Sequence, residues 1–471
     1  MLVLVSCGGG GGSSGPDATD NAAGTDAVAE TTTNADTPPE AVIVSEDFRA
    51  VYWYKGRTTG SNGNEGKGLL RMLDPRDKDP TNDETLSDGL TALGMDCNLG
   101  CYVDSNLKWL AVARGAGDQG NFTLSLLAIG AGRTLSSLGV ADVEGVTHLE
   151  FLGDQVYFSK QLETCASSTD LTVRCYDIYR VNLNSPAAPE QVLTFPPDDA
   201  LTGSSYQGNF RAGEDQQTLL FVLPFHASKR IYTFKDQTLK AVGADLCTGH
   251  DTDGNCTGGS SGSVYQDADP VALSKDGRTL VFTALEDNQE LRLFVHDMET
   301  DTRRYSVILK VPSNYLLNAC YNRATWQYTT ILPPIRFTAN GGDVILLGSA
   351  ECDANKDKAW TNIFRLPLLR IGSGDVLTEA DYLMVTSNPT GKTSACVTIS
   401  TFDLSPTGDN VVFLGTPRLQ EDGSPIPDAS PRHFTDSEVY VTRTDGSAIP
   451  VQVTNSTSWK ASALTAVKTP Q

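Results

Sequence analysis

Leu273-Ser274-Lys275-Asp276-Gly277-Arg278-Thr279-Leu280-Val281-Phe282 runs a tight polar turn straight into an apolar stretch. The arrangement returns at Leu404-Ser405-Pro406-Thr407-Gly408-Asp409-Asn410-Val411-Val412-Phe413. Ser and Asp side chains bond to nearby backbone, and Gly supplies the positive φ that tight turns need. The apolar stretch behind the turn is too short for a helix and is bounded by turn residues, so it reads as a buried strand.

Working outward, seven such stretches recur about 45–67 residues apart: Ala50–Tyr54, Trp109–Val112, Val156–Phe158, Leu219–Leu223, Leu280–Ala284, Val344–Leu347 and Val411–Leu414. Turns such as Gly213-Glu214-Asp215 and Asn340-Gly341-Gly342 precede them. A variable loop follows each, then a second strand such as Leu291–Val295 or Glu438–Val441, another turn, and a weaker outer strand such as Pro450–Val453. Near-continuous apolar runs imply strands covered on both faces. Four-stranded units stacked face to face would supply that cover. Seven units without a long helix predict an all-β chain: a seven-bladed β-propeller of four-stranded antiparallel blades over 40–458. Residues 459–471 are left as a C-terminal tail.

The two quoted segments resemble the S-P-D-G-[KR]-x-[ILV]-[AV]-F signature of TolB-type, WD-repeat-like propellers, while the other units match it in outline. The resemblance implies the fold. The α/β domain that precedes the propeller in that family has no counterpart here, so the family's own role is not implied. Propellers of this shape also precede prolyl-oligopeptidase-type hydrolase domains, and no such domain follows here.

Charge and cysteines set the environment. The chain carries 36 Lys+Arg against 58 Asp+Glu, a net charge of -22, which repels phosphate backbones and excludes nucleic acid as a partner. Cys97 with Cys101, Cys165 with Cys175, and Cys247 with Cys256 are close pairs in loop-like segments, the pattern of disulfides in an oxidising compartment. Their spacings are not those of zinc ligands. Cys320, Cys352 and Cys396 supply one further bridge, Cys352 with either Cys396 or Cys320, and one free thiol.

Leu4-Val5-Ser6-Cys7 resembles a bacterial lipobox, in which the cysteine becomes the lipid attachment point. A signal peptide also carries a basic start and an apolar stretch of about 7–15 residues, so residues 1–7 read as a truncated lipoprotein signal. Gly8 rather than Asp after the cysteine favours the outer membrane by the enterobacterial sorting rule. Residues 8–39, rich in Gly, Ser, Thr and Asp, cannot bury a core and read as a disordered tether. Without acylation at Cys7 the expectation is a periplasmic or secreted protein.

For strands a-b-c-d in each blade, a–b and c–d turns share one face of the disc, and b–c loops and d-to-a crossings share the other. The long insertions (56–68, 160–174, 243–268, 311–331, 349–361, 388–397 and 415–437) and all nine cysteines after Cys7 are assigned to the second face. Loops on a rigid scaffold carry function, so this disulfide-braced face is the expected working surface. It would take an envelope protein or a small ligand, with the membrane met only through the lipid.

Tyr315, Tyr321, Arg323, Trp326, Tyr328 and Trp360 are candidate binding residues, being of types enriched at hot spots. The plainer alternative is a small loop core. Asp251, Asp253 and Asn255 offer oxygen ligands of the kind Ca²⁺ prefers, but Gly262 stands where an EF-hand needs Glu. Asp-rich turns are commonly only turns. No other cofactor is expected. No catalytic residue is assigned: Gly258-Gly259-Ser260-Ser261-Gly262 has the letters of a nucleophile elbow without its strand and helix. The leading expectation is a bacterial envelope lipoprotein acting as a binding or scaffold module. The alternative is a lactonase- or lyase-like enzyme with its site at the central channel, where Thr147, His148 and Thr398 lie on inner strands.

Overall fold

In the computed structural model the turn that opens the motif repeats in atomic detail. The Ser274 N–H bonds to Thr279 O (2.8 Å), the Gly277 N–H returns to Ser274 O (2.8 Å), and Ser274 Oγ accepts the Thr279 N–H (2.9 Å). The two backbone bonds recur for Asp104 with Trp109 and Leu107, Gly213 with Thr218 and Gln216, Thr338 with Asp343 and Gly341, and Ser405 with Asn410 and Gly408. The fourth residue of each turn has positive φ: Leu107 55°, Gln216 56°, Gly277 71°, Gly341 66° and Gly408 76°. Glycine enters that region at no steric cost. The two exceptions have other work. Leu107 is buried in an apolar cluster, and Gln216 Oε1 accepts the Gly153 N–H at 3.1 Å.

The structure describes residues 44, 46–55, 68–77, 84–115, 122–162, 175–195, 210–225, 228–242, 249–250, 256–258, 271–285, 291–309, 335–351, 360–368, 376–377, 381, 383–386, 397–417, 438–448, 450–454 and 459–469. The chain begins with β1 (Phe48–Lys55), β2 (Gly68–Leu73) and β3 (Glu84–Thr85), then a 3-10 helix at Leu86–Leu93. An eight-stranded sheet follows, in two halves. The first is β4 (Gly100–Val103), β5 (Trp109–Arg114), β6 (Phe122–Ile129) and β7 (Leu135–Ser137). The second is β8 (Val143–Leu152), β9 (Gln155–Gln161), β10 (Tyr176–Asn182) and β11 (Glu190–Phe195). The halves meet where β6 pairs with β8.

Next come β12 (Arg211–Ala212), β13 (Leu219–Phe225), β14 (Ser228–Lys235) and β15 (Thr238–Ala241), then a small hairpin, β16 (Gly249–His250) with β17 (Cys256–Gly258). The following sheet holds β18 (Val271–Leu273), β19 (Thr279–Leu285), β20 (Leu291–Asp297) and β21 (Thr302–Leu309). After it come β22 (Ile335–Phe337), β23 (Asp343–Glu351), β24 (Trp360–Pro367), β25 (Val376–Leu377) and β26 (Leu383–Met384). The last are β27 (Val397–Leu404), β28 (Asn410–Pro417), β29 (Glu438–Arg443), β30 (Val451–Gln452) and β31 (Trp459–Lys468).

Neighbours along each sheet are antiparallel, in the orders β12-β13-β14-β15, β18-β19-β20-β21, β22-β23-β24-β26 and β27-β28-β29-β30. The seven apolar stretches become β1, β5, β9, β13, β19, β23 and β28, each the second strand of its group. Most core clusters span two consecutive groups. Val51 and Met72 pack with Leu110 and Leu127, and Leu124 with Phe158. Tyr176 packs with Phe221, and Leu220 with Phe282. Ile363 packs with Phe413, and Val441 with Tyr52. At about 1.5–3 kcal/mol for each fully buried large apolar side chain, these inter-sheet clusters are the main stabilising contribution.

Two sequence expectations change. The segment assigned to a C-terminal tail contains β31, which pairs antiparallel with β1 from Phe48↔Lys468 to Lys55↔Trp459 and makes the order β3-β2-β1-β31. The last strand is an edge member of the first sheet, beside β1. Its alanine-rich sequence carries little apolar signal, and its partner lies at the other end of the chain. Long connections are also not confined to b–c and d-to-a positions. The c–d connection from β24 to β26 carries β25, which pairs in parallel with β21 (Ile308↔Val376, Leu309↔Leu377) and adds a fifth strand to that sheet.

Candidate functional site

The first strands of the groups are β31, β4, β8, β12, β18, β22 and β27. Charged residues on or just after several of them form a belt from sheet to sheet. Glu214, in the turn after β12, donates its N–H to Leu273 O of β18 (3.2 Å), and its Oε1 accepts the Phe337 N–H of β22 (2.9 Å). Beside Phe337, Arg336 donates Nε–H to Asp403 Oδ1 of β27 (3.0 Å), and Asp403 Oδ2 accepts the Ala466 N–H of β31 (2.9 Å). The belt joins first strands from five groups.

Electrostatics follow from this crowding. Burial pushes the Glu214 carboxyl up to about 7, against the opposing pull of Arg336 and the Phe337 N–H. Burial also works against the Arg336 charge, but Asp403 and Glu214 outweigh it and hold the guanidinium pKa above its usual value. Sequence reading missed Glu214, Arg336 and Asp403 as a set. Their available signal was a charge inside or just behind an apolar first strand, as in Ile335-Arg336-Phe337 and Phe402-Asp403-Leu404.

The residues offered for the enzyme alternative hold strands together. His148 Nε2 lies 2.7 Å from Phe210 O, with its ring edge-on to the Phe210 ring, and Thr147 Oγ1 is 2.8 Å from Ser159 Oγ. Thr398 lies in β27, opposite Thr416. His296, only 1% exposed, meets Asp301 Oδ1 at 2.9 Å, and Asp301 Oδ2 meets Lys240 Nζ at 3.0 Å. Burial lowers the His296 pKa, opposed by Asp301. That trio bridges β20 to β15.

Of the expected disulfides, Cys97–Cys101 is formed, with a Cα–Cα distance of 5.3 Å and both residues fully buried between β2 and β5. Trp53 Nε1–H donates to Cys97 O at 2.7 Å. Cys175 is also disulfide-bonded. Cys256 lies in β17, opposite His250, and Trp360 lies in β24, opposite Glu351. Cys7, Cys165, Cys247, Cys320, Cys352 and Cys396 lie outside the described residues, as do Tyr315, Tyr321, Arg323, Trp326, Tyr328, Asp251, Asp253 and Asn255. Among the described residues no group of three His, Cys, Asp or Glu side chains is placed to hold a metal. None of the described helices is long and apolar enough to cross a membrane.

No protein-family model and no curated protein matches the sequence. Solved structures do. The chain is similar to TolB from Acinetobacter baumannii at 10% identity and a TM-score of 0.37, over 89% of this chain and 81% of that one. It is similar to a candidate 6-phosphogluconolactonase from Bacteroides uniformis at 10% identity and a TM-score of 0.46, over 89% and 98%. With prolyl oligopeptidase B from Galerina marginata the identity is 9% and the TM-score 0.49, over 87% of this chain and 51% of that one.

Proposed function

We propose that the chain is a seven-bladed β-propeller serving as a binding or scaffold module of the bacterial envelope, held by a lipid on Cys7 and working through its insertion-bearing face. The eight-stranded sheet counts as two blades, the β1 sheet is completed by β31, and the outer fifth strand β25 is a strap. The observation that carries the reading is the set of core clusters that join six pairs of consecutive groups, the last of them packing Val441 and Leu414 on Tyr52 and Phe48. Such packing leaves the b–c and d-to-a segments outside the scaffold, where recognition is commonly placed.

A photo-crosslinking residue in the 160–174 or 349–361 insertion should give discrete adducts in intact cells, and one at Lys108 or Lys275 should not. Adducts confined to Lys108 and Lys275 would sink the assignment of the working face. Radiolabelled palmitate should enter the full-length product and be lost in Cys7→Ser. An intact, unmodified N-terminus by mass spectrometry would remove the lipid.

The second reading, a lactonase- or lyase-like enzyme at the central channel, draws on the Glu214 carboxyl, whose pKa of about 7 suits proton transfer. Glu214 and Asp403 each accept a backbone N–H and face Arg336. Those bonds favour a brace over a catalytic group.

A further inference from the structure

Strand direction fixes where the chain enters and leaves the ring of sheets. β1 is a second strand and starts where an a–b turn would sit in the other groups; β31, the first strand beside it, ends there, with Phe48 paired to Lys468. Side chains pin both ends at that spot. Thr469 Oγ1 donates to Asp47 Oδ1 (2.9 Å), and Arg49 Nη1 reaches Asp47 Oδ1 (3.0 Å) and Asp74 Oδ2 (3.1 Å). Arg76 Nη2 lies 2.7 Å from Asp47 Oδ1 and 2.6 Å from Asp74 Oδ2. One residue earlier, Glu46 is held by the a–b turn between β27 and β28: Oε1 accepts the Thr407 N–H (2.8 Å) and Oε2 accepts the Thr407 hydroxyl (2.7 Å). Val44 is buried beside them. The N-terminal segment therefore leaves from the a–b turn face. Among the described cysteines, Cys97, Cys175 and Cys256 lie in b–c or d-to-a connections, which emerge at the opposite end.

We infer that the a–b turn face is turned toward the lipid surface that holds the N-terminal segment, and that the insertion face is presented away from it. The inference rests on the reading of the N-terminal segment as an anchor, but not on which anchor it is. Read as a tether, residues 8–39 would have a root-mean-square reach of about 28–34 Å. That is comparable with the width of a domain, so the exit point biases which face meets the surface without clamping it.

The full chain carrying an N-terminal hexahistidine tag is bound to phosphatidylcholine vesicles containing a nickel-chelating lipid and a headgroup-attached quencher. A fluorophore is placed, through an unnatural amino acid, at Lys108 or Lys275 in a–b turns, or at Leu99 or Glu144 at the insertion end of β4 and β8. Quenching at Lys108 and Lys275 should exceed that at Leu99 and Glu144 by at least about twofold, since the exit point biases the turn face toward the surface. The ranking should survive moving the tag to the C-terminus, because both ends leave from one place. Equal quenching at the four sites, or stronger quenching at Leu99 and Glu144, overturns the inference. Because the tag replaces the acyl group, a chain that lacks palmitate yet keeps the ranking would discard Cys7 as the anchor and leave the orientation standing.

Discussion

The recurring a–b turn shows how much one backbone angle can cost. Gly341 and Gly408 occupy the same turn position with nearly the same φ, yet a Cβ added at Gly341 meets nothing within 4 Å, while one at Gly408 comes 2.8 Å from Ala339 N of the neighbouring sheet. Gly341→Ala should therefore cost the left-handed penalty alone, about 1–2 kcal/mol. Gly408→Ala should cost clearly more, because backbone must shift. Denaturant midpoints for the two variants check the order, and equal losses would show that the turns do not pack as described. Glu214 gives a second test, with a sign opposite to that of most carboxyls. Its folded pKa of about 7 lies above the ordinary glutamate value of 4.5, so between those values the folded chain holds a proton that the unfolded chain has released. Its contribution to stability is full below about pH 4.5 and is lost as pH rises through about 7. Glu214→Gln should match the wild type near pH 4.5 and gain on it steadily towards pH 8 in thermal melts. Parallel pH profiles would mean that the carboxyl is not desolvated.

At the scale of elements, the chain declares its second strands and conceals several of its first ones. The seven apolar stretches were legible because both faces of a middle strand are covered, which writes a continuous run of Leu, Val, Ile and Phe. The short β12, β18 and β22 carry two or three residues each. The charges that join first strands, Glu214, Arg336 and Asp403, become a belt only when five groups converge, and no spacing in the sequence encodes that. β31 was missed for a related reason: its pairing with β1 spans the whole chain. Deleting 459–471 should expose Phe48 and Tyr52 and remove burial of Leu464 and Val467, worth about 3–6 kcal/mol together at 1.5–3 apiece. The shortened chain should bind a hydrophobic dye and lose its cooperative melt, and a peptide of residues 459–469 added in trans should restore part of both. An unchanged melt would show that β31 is dispensable to the sheet.

For the whole molecule, the cysteines give the broadest check on architecture and compartment together. Cys97–Cys101 has no exposed surface, so a phosphine reductant should leave it unmodified in the native chain and cleave it after denaturation. Non-reducing peptide maps should return that bridge, two other local ones and one long-range bridge among Cys320, Cys352 and Cys396. Nine reactive thiols in native protein would abolish both the bridges and the oxidising compartment.

The meeting of the chain ends beside Phe48 and Lys468 has a mechanical side. Load applied between the N-terminal segment and the C-terminus would fall on adjacent ends of an antiparallel pair and unzip β1 from β31 a few hydrogen bonds at a time. The Asp47–Thr469–Arg49 contacts would break first. Load between the N-terminal segment and a partner gripping the insertion face would instead run along β1, shearing its pairings with β2 and β31 together. The same seam is weak when pulled open from its ends and strong when loaded along β1. The second direction is the one in which a tethered module with an occupied far face would be strained.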